Sequence, residues 1–268
     1  MLLLAFLTAC SDIEVSGPDT GNMALTDSPA AYYEPAPGNR YASGFSLDHN
    51  NGQTLITVYN PWDSGKVLRK YLLTRDNGEN TENLADSTVI IRLPVKKVGA
   101  LSATHLGMLE MLGRIDKVIA VCDAPYIYHP VIRNKIKEGI ISEVGELQTL
   151  NIEKLIELSP DLVLLTGWDN VSNTEKRLEE FGLPLVYNIE WMEKTPLGRA
   201  EWLRFVAAFF NEDKKADSIF SSVVHNYNRL KSIAAGASVK PSVLHGSDYE
   251  GTWFVPGGKS YIGILYRD

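Results

Sequence analysis

Between residues 98 and 187 the chain alternates short, continuous apolar runs with segments whose apolar positions recur every three or four residues. The apolar runs predict strands at 98–101, 118–121, 161–165 and 185–187. The periodic segments predict helices over about 104–112, 151–158 and 174–181, the last ending at Gly182. This alternation is typical of an α/β fold with a Rossmann-like parallel sheet covered on both faces. Such sheets bind ligands beyond the carboxyl ends of their strands.

The residues before this lobe, which we place at 95–210, follow a two-residue period instead. Strands are predicted at 55–59, 71–74 and 88–93, and Asn50-Asn51-Gly52 predicts a hairpin turn before the first of them. Residues 38–94 are therefore expected to form a β-rich N-terminal extension that packs on the lobe.

A long amphipathic helix is predicted after the lobe, over residues 211–236. Its apolar residues recur at helical spacing from Ala216 to Ile233, and Gly236 ends it. Roughly 20–25 helical residues span about 30–37 Å, which is the width of a domain. A strand predicted at 242–245 follows, so residues 237–268 are expected to begin a second α/β lobe.

The N-terminus resembles a lipoprotein signal peptide. Residues 1–9 are apolar and too short to cross a bilayer, and they end in the run Leu7-Thr8-Ala9-Cys10, which resembles a lipobox. Cys10 is accordingly predicted to carry lipid and to tether the chain to a membrane. Residues 11–37 contain prolines and acidic residues but no basic residue, as a flexible acidic tether would. Signal peptides usually begin with a basic region, but no basic residue precedes Arg40 here. The alternative is a chance apolar N-terminus with a buried cysteine.

Composition excludes several classes of protein. The 268-residue chain has a net charge of −7 and no long basic run, which argues against a nucleic-acid binder. Its two cysteines, Cys10 and Cys122, have no zinc-site spacing, and its five histidines form no His-Glu-x-x-His pair. We therefore expect no metal site and no cofactor, although a Zn or Mn site assembled in space from histidines and carboxylates stays open as an alternative.

Two motifs typical of catalytic sites are incomplete or missing in the sequence. Gly258-Lys259-Ser260 ends like a phosphate-binding loop, but Trp253 occupies the position where that loop needs a glycine. A Gly-x-Ser-x-Gly elbow is also missing from the sequence. The expectation is that the chain is not an enzyme, and a doubly wound enzyme such as a transferase is the less favoured reading.

Five segments in order resemble the periplasmic-binding family for iron complexes and vitamin B12. They are VGALSATHLGMLEMLG (98–113), DKVIAV (116–121), NIEKLIELSPDLVLL (151–165), EEFGLPLV (179–186) and WFVPGGKSYIG (253–263). The resemblance implies two α/β lobes joined by one long helix, with a ligand held in the cleft between them. Family members continue for about a hundred residues more, so the second lobe is expected to be incomplete here.

The resemblance also implies a function. Such a chain would be the substrate-binding lipoprotein of an ABC transporter, working as a monomer in the bacterial cell envelope. It would capture an iron–siderophore, haem or cobalamin-type ligand and deliver it to the permease. A lipoprotein that uses the same fold for signalling or adhesion is a further alternative.

Aromatic residues after the predicted strands are the main candidates for ligand contact. Trp168 follows the strand at 161–165, and Tyr126 and Tyr128 follow the strand at 118–121. Their faces suit macrocycles, catechols and tetrapyrroles. These rings could instead simply cover the edge of the sheet.

Other candidates are polar or come from the second lobe. Thr104 and His105 start a helix whose free N–H groups favour anions, although Thr104 could equally serve as a helix cap. Trp253 and Lys259 are expected to face the cleft from the second lobe, and Gln148 is similar to a cleft position in the family.

Glu175 is the candidate for docking to the permease. The resemblance implies that a glutamate at this point meets arginines of the permease. The alternative is that Glu175 only stabilises the first turn of its helix through the helix dipole.

Overall fold

A computed structural model describes residues 35–50, 52–75 and 88–268 of the chain. The predicted lipid-bearing Cys10 and the tether up to residue 34 lie outside the described residues. The predicted α/β fold with a parallel sheet, a β-rich extension and a long helix is confirmed. No helix within the described ranges is both long and apolar enough to cross a membrane.

The β-rich section forms a four-stranded sheet in the order β1-β2-β3-β4. Its strands are β1 (Phe45–Asn50), β2 (Gln53–Tyr59), β3 (Val67–Thr74) and β4 (Thr88–Arg92). The first three run antiparallel and β4 pairs parallel to β3. β1 ends at Asn50 and β2 begins at Gln53, as the hairpin prediction requires, and Gly52 has a φ of +77° that glycine adopts without strain.

The second sheet is parallel throughout, in the order β11-β10-β5-β6-β7. Its strands are β5 (Val98–Ala100), β6 (Val118–Val121), β7 (Ser142–Glu143), β10 (Leu162–Leu165) and β11 (Leu185–Tyr187), and a small hairpin of β8 (Gly145–Glu146) and β9 (Thr149–Leu150) stands beside it. Residues of β5, β10 and β11 are all buried. Burial on both faces explains why these strands read as continuous apolar runs.

Helices cover this sheet and lead away from it. They are α1 (Ala103–Met111), α2 (Pro130–Lys137), α3 (Ile152–Leu158), α4 (Asn173–Glu180), α5 (Pro196–Ala208) and α6 (Asp213–Ala235). Helices α1, α3, α4 and α6 were predicted from the sequence, whereas α2 and α5 were not. Helix α5 buries nine of its residues, so it has no polar stripe to give it a helical period.

Helix α5 joins the two sheets. Its Trp202 and Phe205 pack edge-on against Phe45 of β1, with ring centroids 4.9 and 5.5 Å away. Tyr71 of β3 contacts Phe205 in the same way, and its hydroxyl accepts a hydrogen bond from the Tyr187 N–H at the end of β11. The β-rich section therefore shares one hydrophobic core with the parallel sheet.

Two buried carboxylates tie the chain before β1 to the same helix. Glu201 on α5 is fully buried and accepts hydrogen bonds from the backbone N–H groups of residues 40–42 at 2.7–2.9 Å. Glu193 accepts from the N–H groups of Ser43 and Gly44 and from the Trp202 indole, at 2.8–2.9 Å. Five consecutive N–H donors thus end on two carboxylates. We call Glu193 and Glu201 the carboxylate clamp.

The end of the chain departs from expectation at one point. Helix α6 has 23 residues and ends at Gly236 as predicted. No strand forms at 242–245; the next strands are β12 (Ser247–Tyr249) and β13 (Thr252–Phe254), a hairpin followed by α7 (Tyr261–Arg267). The strand prediction was wrong because Val243 and Leu244 are exposed and lie beside no partner strand within the described residues.

Candidate functional site

The carboxyl ends of β5, β6, β10 and β11 lie along one edge of the parallel sheet, because all pairs in it are parallel. Three predicted ligand contacts are large aromatic residues exposed in the loops at this edge. Trp168 follows β10 and is 59% exposed, while Tyr126 and Tyr128 follow β6 and are 71% and 78% exposed. All three side chains are therefore accessible from solvent at the strand ends.

Trp168 belongs to a group of three tryptophans, of which sequence reasoning found only one. Its ring lies 5.3 Å from that of Trp191, which follows β11, and Trp191 lies 6.3 Å from Trp62 in the turn between β2 and β3. The rings are tilted by 47° and 54°, so they form a stepped surface instead of a flat stack. We call Trp62, Trp191 and Trp168 the tryptophan row.

Gly167 allows the loop after β10 to approach this row closely. A Cβ at position 167 would fall 2.8 Å from Cγ2 of Ile189 and 3.2 Å from Cδ1 of Tyr187. Any larger residue would push the loop, and Trp168 with it, away from β11. The close approach therefore sets where Trp168 stands.

Glu190 follows β11 and places a carboxyl group beside Thr104 at the start of α1. It is only 4% exposed, and its Oε2 atom has no hydrogen-bond partner within the part of the chain that the structure describes. Burial raises the pKa of Glu190, while a hydrogen bond from the Thr104 side chain and the charge of Arg199 lower it. A buried carboxyl oxygen left open in this way can accept a donor from a ligand or a water.

Arg199 connects this edge to the last helix. Its Nη2 donates to the carbonyl oxygen of Trp191 at 2.8 Å, and its guanidinium lies 3.9 Å from the centroid of the Tyr261 ring. Arg199 is on α5 and Tyr261 is on α7, so a cation–π contact links the lobe to the segment after the long helix.

His105 does not face the site, which corrects the sequence prediction. It is fully buried, and burial lowers its pKa to about 4, so it is neutral at physiological pH. The neighbouring Thr104 is exposed as a site residue should be. The cap of α1 is Ser102, whose hydroxyl accepts from the Thr104 N–H at 3.3 Å. Position 105 falls on the inner face of α1, whereas position 104 is exposed. The sequence alone did not show which of these two neighbouring residues faces solvent.

Three further candidates are exposed but are not drawn into the row. Gln148 lies in the turn between β8 and β9, and this hairpin meets the sheet edge through a hydrogen bond from Asp123 N–H to the Gly145 carbonyl. Trp253 on β13 and Lys259 before α7 are exposed on the C-terminal segment. No ring contact joins Trp253 to the tryptophan row among the residues described.

Glu175 is committed to its own helix. Its side chain accepts from the Ser172 N–H at 2.5 Å while the Ser172 hydroxyl accepts from the Glu175 N–H at 3.1 Å, which completes a capping box. The residue is only 7% exposed. The capping box supports the stabilising role of Glu175, and docking to a permease stays a prediction.

Comparison with known proteins identifies relatives of this chain. The family model described as periplasmic binding protein matches residues 98–268. An uncharacterized lipoprotein of Methanocaldococcus jannaschii is 26% identical over 286 residues, covering 98% of this chain and 67% of the relative. The vitamin B12-binding protein of Vibrio parahaemolyticus is 32% identical over 98 residues, which are 35% of this chain and 32% of that protein.

Solved structures agree on the fold. A possible iron-binding periplasmic solute-binding protein from Staphylococcus epidermidis has a TM-score of 0.53 at 17% identity, covering 65% of each chain. The chain spans about half to two thirds of the length of the three Methanocaldococcus relatives it matches.

Proposed function

Since the chain belongs to the periplasmic binding protein family, we propose that it is the substrate-binding lipoprotein of an ABC transporter. It captures an iron–siderophore, haem or cobalamin-type ligand and delivers it to the permease. The role is binding and not catalysis, in keeping with the family and with the binding proteins among its structural neighbours.

The tryptophan row at the carboxyl edge of the parallel sheet is the observation that carries this proposal. Large aromatic faces give a ligand wide contact while few rotamers need to be frozen. Trp168, Tyr126 and Tyr128 keep most of their surface exposed, whereas Trp202 in the core of the same fold is fully buried. A conjugated or macrocyclic ligand would cover such faces well.

Cys10 supports the location of this function. The lipobox ending at Cys10 would provide acyl chains that hold the domain at a membrane of the cell envelope. The Methanocaldococcus relative that covers 98% of this chain is itself named a lipoprotein.

A site for bare Zn or Mn has less support. Over residues 35–50, 52–75 and 88–268, no group of three or more His, Cys, Asp or Glu side chains is placed to hold a metal ion. Chelated metal, with its organic shell, fits the aromatic surface better than a bare ion does.

Ligand titration of the full-length protein tests the proposal. We expect tryptophan fluorescence to be quenched on addition of haemin, cyanocobalamin or a ferric tris-catecholate complex, with saturation at one equivalent. Trp168→Ala should weaken binding of the best probe by about 1–3 kcal/mol, as loss of a stacking partner does. Saturable binding of none of the three probes would contradict the proposed function, and unchanged affinity in Trp168→Ala would remove Trp168 from the site.

A further inference from the structure

Trp62 reaches the candidate site from outside the part of the chain that the family model matches. The model begins at residue 98, whereas Trp62 lies between β2 and β3 of the β-rich section. We propose that the β-rich section builds one wall of the ligand site through Trp62, and that the site takes a ligand with an extended conjugated or apolar ring face. This inference rests on the proposed function and adds a second structural unit to its site.

The turn that carries Trp62 is held by hydrogen bonds of its own. The side-chain oxygen of Asn60 accepts from the N–H groups of Trp62 and Asp63, at 2.9 and 3.0 Å. The Asn60 N–H donates to the carbonyl of Lys66 at 2.8 Å, which closes the turn. Trp62 is therefore held in a defined position, where the residue is half-buried.

The loop that carries Trp168 makes room for this ring. A Cβ at Gly167 would lie 3.6 Å from Cη2 of Trp62, so the indole already fills the space beside the glycine. Trp191 stands between Trp62 and Trp168 and contacts both rings. A ligand that covers Trp168 and spreads along the edge therefore meets Trp191 first and Trp62 after it.

The β-rich section is tied to the lobe firmly enough to act as a wall. The carboxylate clamp fixes residues 40–44, and the Tyr71 hydroxyl accepts from the Tyr187 N–H at 2.9 Å. Arg69 of β3 adds an ion pair with Glu179 on α4 and lies over the Tyr187 ring at 5.5 Å. Trp62 is thus placed against the sheet edge before any ligand arrives, which reduces the entropy cost of binding.

A purely structural role for Trp62 would also explain its half-burial, so the test must separate the two. The protein is labelled with 5-fluorotryptophan, and its five tryptophan resonances are assigned from single Trp→Phe variants. The probes are haemin, cyanocobalamin and a ferric tris-catecholate complex. We expect the best probe to shift the Trp62 resonance together with that of Trp168, while fully buried Trp202 stays unchanged.

Affinity measurements complete the test. Trp62→Ala should weaken the best probe roughly tenfold, and Trp62→Phe should recover most of that loss because it keeps an aromatic face. Lys66→Ala, an exposed change in the same turn, is the matched control and should bind as the wild type does. If the Trp168 resonance shifts and that of Trp62 does not, Trp62 is not part of the ligand site. Full affinity in folded Trp62→Ala would contradict the proposal in the same way, and either result leaves the proposed function intact. If no probe binds at all, the proposed function is contradicted, and the proposed role of Trp62 is contradicted with it.

Discussion

Glu201 offers the sharpest test of how the β-rich section is held to the lobe. Its carboxylate is fully buried on α5 and accepts from three successive backbone N–H groups at 2.7–2.9 Å. Arg204 contributes a further contact at 3.2 Å and supplies a compensating charge. In Glu201→Gln one oxygen becomes an NH₂ group, which points a donor at a backbone donor.

The expected loss can be worked from these contacts. Hydrogen bonds to a charged group contribute about 1.5–3 kcal/mol each, but they are not additive, and a buried donor left unpaired costs about 1–3 kcal/mol. Breaking one side of a buried charged network typically costs about 3–5 kcal/mol, which we take as the expected loss for Glu201→Gln. In a domain of this size that corresponds to a fall in Tm of about 6–20 °C.

Urea unfolding followed by tryptophan fluorescence measures this loss, since Trp202 lies in the core beside the clamp. The matched control is Asp217→Asn, which removes the exposed partner of the same Arg204 at 2.8 Å and should cost at most about 1 kcal/mol. A Glu201→Gln variant as stable as Asp217→Asn would refute the clamp as an energetic tie.

Cys10→Ser should move the protein from the membrane fraction to the soluble fraction, as immunoblots of fractionated cells would show; a wild type that is itself fully soluble contradicts the anchor. If Glu175 only caps its helix, Glu175→Ala should cost about 1 kcal/mol of unfolding free energy by loss of the capping box and leave uptake unchanged, whereas uptake lost in the folded variant would support the docking role. Burial lowers the pKa of His105 from 6.5 to about 4. As the pH falls below 6.5, this histidine is protonated in the unfolded state before it is protonated in the folded state, so the free energy of unfolding should fall by about 3 kcal/mol between pH 6.5 and pH 4. Urea unfolding across that range should show a smaller loss in His105→Gln than in the wild type, and equal losses would show that His105 does not drive it.

The aromatic part of the site was partly visible in the sequence. Trp168 could be predicted because it comes shortly after β10, a buried strand that the sequence shows as a continuous apolar run. Trp191 and Trp62 could not, because nothing local relates the turn after β2 to the residues after β11. Glu190 and the carboxylate clamp were missed for a related reason: the sequence does not distinguish a buried charged residue from an exposed one, and only the tertiary contacts do.

Sequence alone determined the parallel sheet, the β-rich extension and the long helix ending at Gly236, since these follow from local periodicity and backbone preference. Tertiary structure decided the rest. Helix α5 is buried on most sides and so lost its helical period, and the segment at 242–245 had no partner strand to pair with. His105 and Glu175 turned inward through packing that their neighbours in sequence do not record. Each of these outcomes depends on contacts between residues far apart in the chain, which a local pattern cannot encode.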